Sequence, residues 1–278
     1  VASWFIASAS TEIPAWVWPL FLVFLGVLVV LDLGLLQKRS ATMSWRQAMV
    51  WCVVWWALAL GFAAVLGVWR GPEVAELFVG GYVLELALSV DNLFLFILIF
   101  AYFKIPPVYQ KRVLFWGVLG AVLARAAFIF LGIAALERFG WLLPLFGFFL
   151  LVTGLKFLWV ETQKQGHALS ENFLIKSLQK NLPLTDGLRG DQFTVIEAGC
   201  RMVTPLLLVL VVIEATDLLF ALDSVPAVLG ILPVEMSIEE RRFVAFTSNL
   251  FAILGLRSMY FALVGLERWS RFLKPALA

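Results

Sequence analysis

Between Thr204 and Leu232 the chain is apolar for longer than the ~20 residues a helix needs to cross the hydrocarbon of a bilayer, yet that stretch holds Glu214, Asp217 and Asp223. Lipid offers no partner for free backbone groups, so a run of this kind must be helical. An ionised carboxylate near the centre of such a helix costs about 2.5–3.5 kcal/mol on insertion scales. The acids are therefore predicted to face the inside of a helix bundle. A second stretch, Ala75–Phe103, encloses Glu85 and Asp91 in the same way.

The two stretches are copies. Asp217 and Asp223 repeat Glu85 and Asp91 at an offset of 132 positions (217 − 85 and 223 − 91), and Arg257 repeats Arg125 at the same offset. An aromatic residue follows each arginine three positions on, Phe128 and Tyr260.

Composition fixes the class. With 62% hydrophobic and 14% charged residues, the chain has too little polar surface for a soluble globule. Seven segments are long and apolar enough to span: Trp16–Leu36, Ala48–Val68, Ala75–Phe103, Val113–Ala135, Trp141–Val160, Thr204–Leu232 and Val244–Leu266. The expected fold is an all-α polytopic membrane protein, one transmembrane domain over residues 1–278 with seven transmembrane helices. No alternating barrel pattern competes with it. Twelve Trp and 25 Phe fit interfacial belts and lipid-facing packing. Cys52 and Cys200 form no CxxC or Cys/His cluster, which argues against zinc and disulfides. No block of Lys and Arg points to nucleic acid, and residues 1–14 carry no basic secretory signal.

Basic residues gather in alternate connections. Lys38, Arg39, Lys104, Lys111, Lys176 and Arg268 fall on one side, whereas Arg70, Arg138, Arg241 and Arg242 fall on the other. The positive-inside rule then places the N-terminus outside and the long polar 161–200 connection in the cytoplasm. In that connection Phe173–Lys180 reads as an amphipathic surface helix, the run from Gln192 to Ile196 as a strand, and His167 as a solvated loop residue.

With this topology the repeat is inverted: spans 3–5 form one unit and spans 6–8 the other, related by an axis in the membrane plane. The offset puts the start of the eighth span near position 273, so this chain is expected to lack it. Inverted repeats around a midplane polar site are a common architecture of secondary transporters.

Five acids, Glu85, Asp91, Glu214, Asp217 and Asp223, fall at similar depth, and Arg125 and Arg257 lie inside helices to balance them in part. The surplus calls for a bound cation or retained protons; the competing reading is an ion-pair lock between helices. With Ser89, Asn92, Ser224 and Asn249 the donors are hard oxygens, without imidazole or thiolate, which suits Mn2+, Ca2+ or Mg2+. Residues six apart sit 240° around a regular helix, so Glu85 and Asp91 point apart, as do Asp217 and Asp223. Two resolutions are open. Either the helices break near the acids, as Pro226 favours, or they stay straight and one acid of each pair meets another helix.

The runs Gly81–Phe94, Arg112–Gly117, Thr204-Pro205, Ile213–Ala227 and Ser248–Arg257 resemble the TerC family of membrane proteins, in order and over most of residues 16–274. The resemblance implies a metal-ion transporter of the bacterial inner membrane, related to LysE-like exporters, with Mn2+ efflux as its activity. It places the metal site on Glu85, Asp91, Glu214, Asp217 and Asp223, and it matches Asp32 to an acid of the first span, either a vestibule charge or a helix-end residue. The expected mechanism is alternating access, with protons reoccupying the acids as the ion leaves. The alternative is a non-transporting partner of secretion or metal-delivery machinery, docked through 161–200. No enzyme is expected: an intramembrane aspartyl protease resembles its own family through Tyr-Asp and Gly-x-Gly-Asp, and the contexts here are Val90-Asp91 and Leu222-Asp223.

Overall fold

A computed structural model describes residues 13–37, 44–142, 144–148, 151–152, 183–197, 199–233 and 235–273, with side chains omitted over 31–37 and 267–273. The helices are α1 (Val17–Gln37), α2 (Trp45–Arg70), α3 (Pro72–Tyr102), α4 (Pro107–Arg138), α5 (Pro205–Ile231) and α6 (Ile238–Leu273). A hairpin of β1 (Thr194–Glu197) and β2 (Cys200–Val203), antiparallel with Thr194 opposite Val203, precedes α5. The strand expected near Gln192–Ile196 is thus present as β1. Five helices, α2 to α6, are long and apolar enough to cross a membrane, and α1 adds a shorter apolar stretch, Val17–Val30. Most of the predicted span 141–160, together with Phe173–Lys180 and His167, lies outside the described residues.

The helix starts follow local chemistry. Ser44 caps α2 in a reciprocal box with Gln47. Pro72, Pro107 and Pro205 open α3, α4 and α5, where a missing N–H costs nothing. Gly71 joins α2 to α3 at φ +104°, a backbone state that a side chain would oppose. Shifted by 132, the first residues of α3 and α4 fall within one position of those of α5 and α6.

Packing joins helices distant in sequence. α3 lies chiefly on α6 and α4 on α5, while α2 covers α3 and α6. Two apolar clusters fill the bundle. One takes Phe78 and Tyr82 of α3, Ile129 and Ile133 of α4, Val228 and Leu229 of α5, and Phe243 and Phe251 of α6. The other takes Phe96 and Phe100 of α3, Val113 and Leu114 of α4, Val209 and Val212 of α5, and Leu256 and Tyr260 of α6. α3 and α6 run from the first cluster to the second, α4 and α5 from the second to the first. α3 therefore runs opposite to α5, and α4 opposite to α6. Outward faces are apolar, as lipid contact requires: Val68 is 92% exposed and Leu131 69%.

Pro226 does not break α5, which is continuous through it. α3 is likewise continuous through Glu85 and Asp91. The broken-helix expectation is overturned and the straight-helix alternative stands.

Candidate functional site

Where the two apolar clusters meet, each helix of the central four carries polar residues on its buried face. On α3 these are Glu85, Ser89 and Asn92, at i, i+4 and i+7 and so on one stripe. Arg125 comes from α4, Asp217 and Ser224 from α5, and Thr247, Ser248 and Asn249 from α6; all are buried. Two hydroxyls are satisfied within their own helix, Thr247 donating to Phe243 O at 2.7 Å and Ser248 to Ala245 O at 3.2 Å.

Arg125, 1% exposed, is the centre of the layer. Its Nε and Nη2 donate to Oδ2 and Oδ1 of Asp217 at 3.3 and 3.0 Å, a two-pronged contact that the planar guanidinium suits. Nη1 pairs with Oε1 of Glu85 and reaches Ser224 Oγ at 3.5 Å. Asn249 Nδ2 donates to the other oxygen of Glu85 at 2.9 Å. α3, α4, α5 and α6 are thus tied at one level. Burying such charges is tolerable only because each has a partner; removing one leaves an uncompensated charge at about 3–5 kcal/mol.

Close helix approach sets this geometry. A Cβ on Gly81, one turn before Glu85, would lie 2.8 Å from Ser248 Oγ, so only glycine lets α3 come this near α6. A Cβ on Gly120 would collide with the Glu214 carboxylate, which rests on the bare backbone of α4. Neither glycine is a sequence-level candidate, although a glycine among large apolar residues of a span is a signal for such approach.

The predicted residues divide. Glu85, Asp217, Ser89, Asn92, Ser224, Asn249 and Arg125 are all buried. Glu214 and Asp223 are half-buried. Asp91 is exposed, on the face of α3 that also carries Ala87 and Phe94. The expectation that all five acids face inward is corrected here. On an unbroken helix the 240° between Glu85 and Asp91 cannot be closed. Asp32 lies in α1 with its side chain outside the described residues. Arg257, on α6, is half-buried. It lines a pocket with room for about one water molecule, together with Asp217, Gly117, Ala121, Leu93 and Leu256. Among the described residues no three His, Cys, Asp or Glu side chains stand close enough to hold a metal ion in this conformation.

Ion pairs also gather at one end of the bundle. Arg70 bonds Glu240 at 2.9 Å, and Arg242 meets Glu239 at 2.7 Å and Glu137 at 3.6 Å. At the other end Arg112 pairs with Asp191 and covers the ring of Phe193, docking the hairpin onto α4.

Residues 70–278 match the model of the "Integral membrane protein TerC family". The chain is 42% identical over 263 residues to "Uncharacterized membrane protein STKORF319" of Myxococcus xanthus, covering 94% of this chain and 79% of that one. It is 42% identical over 272 residues to "Putative membrane-bound redox modulator Alx" of Photorhabdus laumondii (94% and 82%), and 38% identical over 270 residues to the protein of that name from Escherichia coli K12 (94% and 81%). No solved structure matches.

Proposed function

The chain belongs to the TerC family of integral membrane proteins, and from that premise we propose that it is a divalent-cation transporter that moves Mn2+ out of the cytoplasm by alternating access. One observation carries this reading: Glu85 and Asp217 converge, fully buried, from two repeated helices onto one point at the junction of the apolar clusters. Intramembrane carboxylates are expensive and mark ion pathways. The surrounding donors, Ser89, Asn92, Ser224 and Asn249, are hard oxygens, which suits Mn2+ and fits Ca2+ or Mg2+ as well.

The opposite directions of α3 and α5, and of α4 and α6, support an inverted repeat. In such a frame the two units rock against each other around a fixed site. Glu214 and Asp223, less buried than Glu85 and Asp217, would join the ion from the flanks as it enters or leaves, and protons would replace it there. We place the chain in the bacterial inner membrane with the N-terminus outside and the hairpin end in the cytoplasm, following the basic residues. The name carried by the Alx relatives speaks of redox. This chain has two cysteines, Cys52 buried in α2 and Cys200 exposed on β2, and no Cys-x-x-Cys pair.

The test is Mn2+ efflux from cells or inside-out vesicles bearing Glu85→Gln or Asp217→Asn, at matched protein levels. Efflux should fall to background in both. Undiminished transport in both variants would overturn the assignment, and indifference to an imposed pH gradient would replace proton exchange with uniport.

A further inference from the structure

We propose that Arg125 is a tethered stand-in for the transported ion: its guanidinium occupies the seat between Glu85 and Asp217, so cargo binding and Arg125 engagement exclude each other. The inference rests on the transporter reading above and deepens it.

Three features of the layer support it. First, the guanidinium uses the oxygens a bridging cation would need, both of Asp217 and Oε1 of Glu85. Asn249 holds the remaining oxygen of Glu85 and so fixes the carboxylate toward the seat. Second, a divalent ion would neutralise two carboxylates by itself. With Arg125 still between them the seat would carry excess positive charge in a medium that screens poorly, so the arginine must give way. Third, Ser89 Oγ is fully buried, lies one turn from Glu85 on the same stripe of α3, and has no hydrogen-bond partner among the described residues. Buried hydroxyls are normally paired. An oxygen left idle while the arginine holds the seat is what a ligand awaiting a cation would look like.

The arrangement gives Arg125 two tasks. As a positioning residue it keeps the empty carboxylates paired, so that the unloaded carrier does not expose an anionic pair to the bilayer. As a selectivity element it sets a threshold: a tethered cation is present at high effective concentration, and a monovalent ion, attracted half as strongly as a divalent one, competes poorly against it.

The experiment measures Mn2+ binding by calorimetry to the full chain in nanodiscs, with and without excess Na+, alongside Mn2+ efflux. Wild type, Arg125→Gln, Arg125→Lys and Asp217→Asn are compared. Because a seat mostly filled by the arginine lowers apparent affinity by the fraction that is open, Arg125→Gln should bind Mn2+ about tenfold tighter or more. Its efflux should drop by a similar factor because the ion is no longer ejected, and Na+ should compete visibly in this variant only. Metal-free Arg125→Gln should melt below wild type, with Mn2+ raising its melting temperature by more than it raises that of wild type. Should Arg125→Gln fail to fold even with Mn2+, Arg125→Lys carries the test. A lysine ammonium lacks the planar fork that grips both oxygens of Asp217 while pairing with Glu85, so binding several-fold tighter than wild type is expected.

Affinity unchanged or weakened in the foldable arginine variant, with Asp217→Asn abolishing binding, would overturn the stand-in while leaving the transporter reading intact. Equal Mn2+ binding by wild type, the arginine variants and Asp217→Asn would overturn both.

Discussion

Asn249 of α6 donates its side-chain amide to Oε2 of Glu85 on α3 at 2.9 Å, both side chains being almost completely buried. Asn249→Ala leaves that oxygen without a donor, at about 1–3 kcal/mol, and should lower the melting temperature in detergent. Asn249→Asp sets two carboxylates side by side and should be worse. A melting temperature equal to wild type in both would show that this bond does not hold the layer.

Gly120 and Gly132 of α4 separate a contact with the acids from plain packing. A Cβ at Gly120 would meet the Glu214 carboxylate, whereas one at Gly132 would meet Leu229 Cδ1 at 3.4 Å. The carboxylate is the far end of a flexible side chain, so Gly120→Ala should fold and move it aside. Mn2+ efflux should fall severalfold in Gly120→Ala and stay near wild type in Gly132→Ala, with melting temperatures similar in both. Equal efflux in the two would remove Glu214 from the pathway.

The acids of one sequence motif should differ sharply in what they do for stability. Asp217→Asn deprives buried Arg125 of its main partner and should cost about 3–5 kcal/mol. Asp91→Asn removes a charge from an exposed position on α3 and should leave stability unchanged or raised. Chemical denaturation in mixed micelles measures both. A comparable loss in Asp91→Asn would contradict its outward placement.

The ion pairs at the two ends of the bundle should likewise be unequal. Arg70 and Glu240 are 7% and 13% exposed, Arg112 and Asp191 38% and 63%. Double-mutant cycles should give a coupling of about 1 kcal/mol or more for the first pair and no more than ~1 kcal/mol for the second. Raising salt to about 1 M should erase the second and leave most of the first. Equal coupling and equal salt dependence would show that burial does not distinguish them.

Much of this was readable from residues because the membrane imposes such strong conditions. The length of each apolar run set α2, α3 and α5 to within three residues, whereas α4 and α6 begin six residues earlier than expected and α6 ends seven later, and the 132-residue offset marked Glu85 with Asp217 and Arg125 with Arg257 as counterparts. The same helical geometry held the answer to which acids meet: 240° between Glu85 and Asp91 means one inward and one outward on a straight helix. Pro226 argued for a break, but α5 runs on through it. What the residues could not reveal is partnership. Two arginines in matching positions look equivalent in sequence, yet Arg125 holds both buried carboxylates while Arg257 lines the pocket beside Asp217. That difference arises from which faces of four helices are brought together, as does the seat of Glu214 on Gly120, and neither is encoded in any single segment.

The crossed packing of α3 on α6 and α4 on α5 bears on how the molecule is made. A ribosome delivers α2, α3 and α4 to the membrane before α6 exists, so their inner surfaces must wait against lipid or against temporary neighbours. α6 then contacts all three. Biogenesis should accordingly be a late, concerted closure, and quality-control proteases should find chains interrupted before α6 far easier to clear than finished ones.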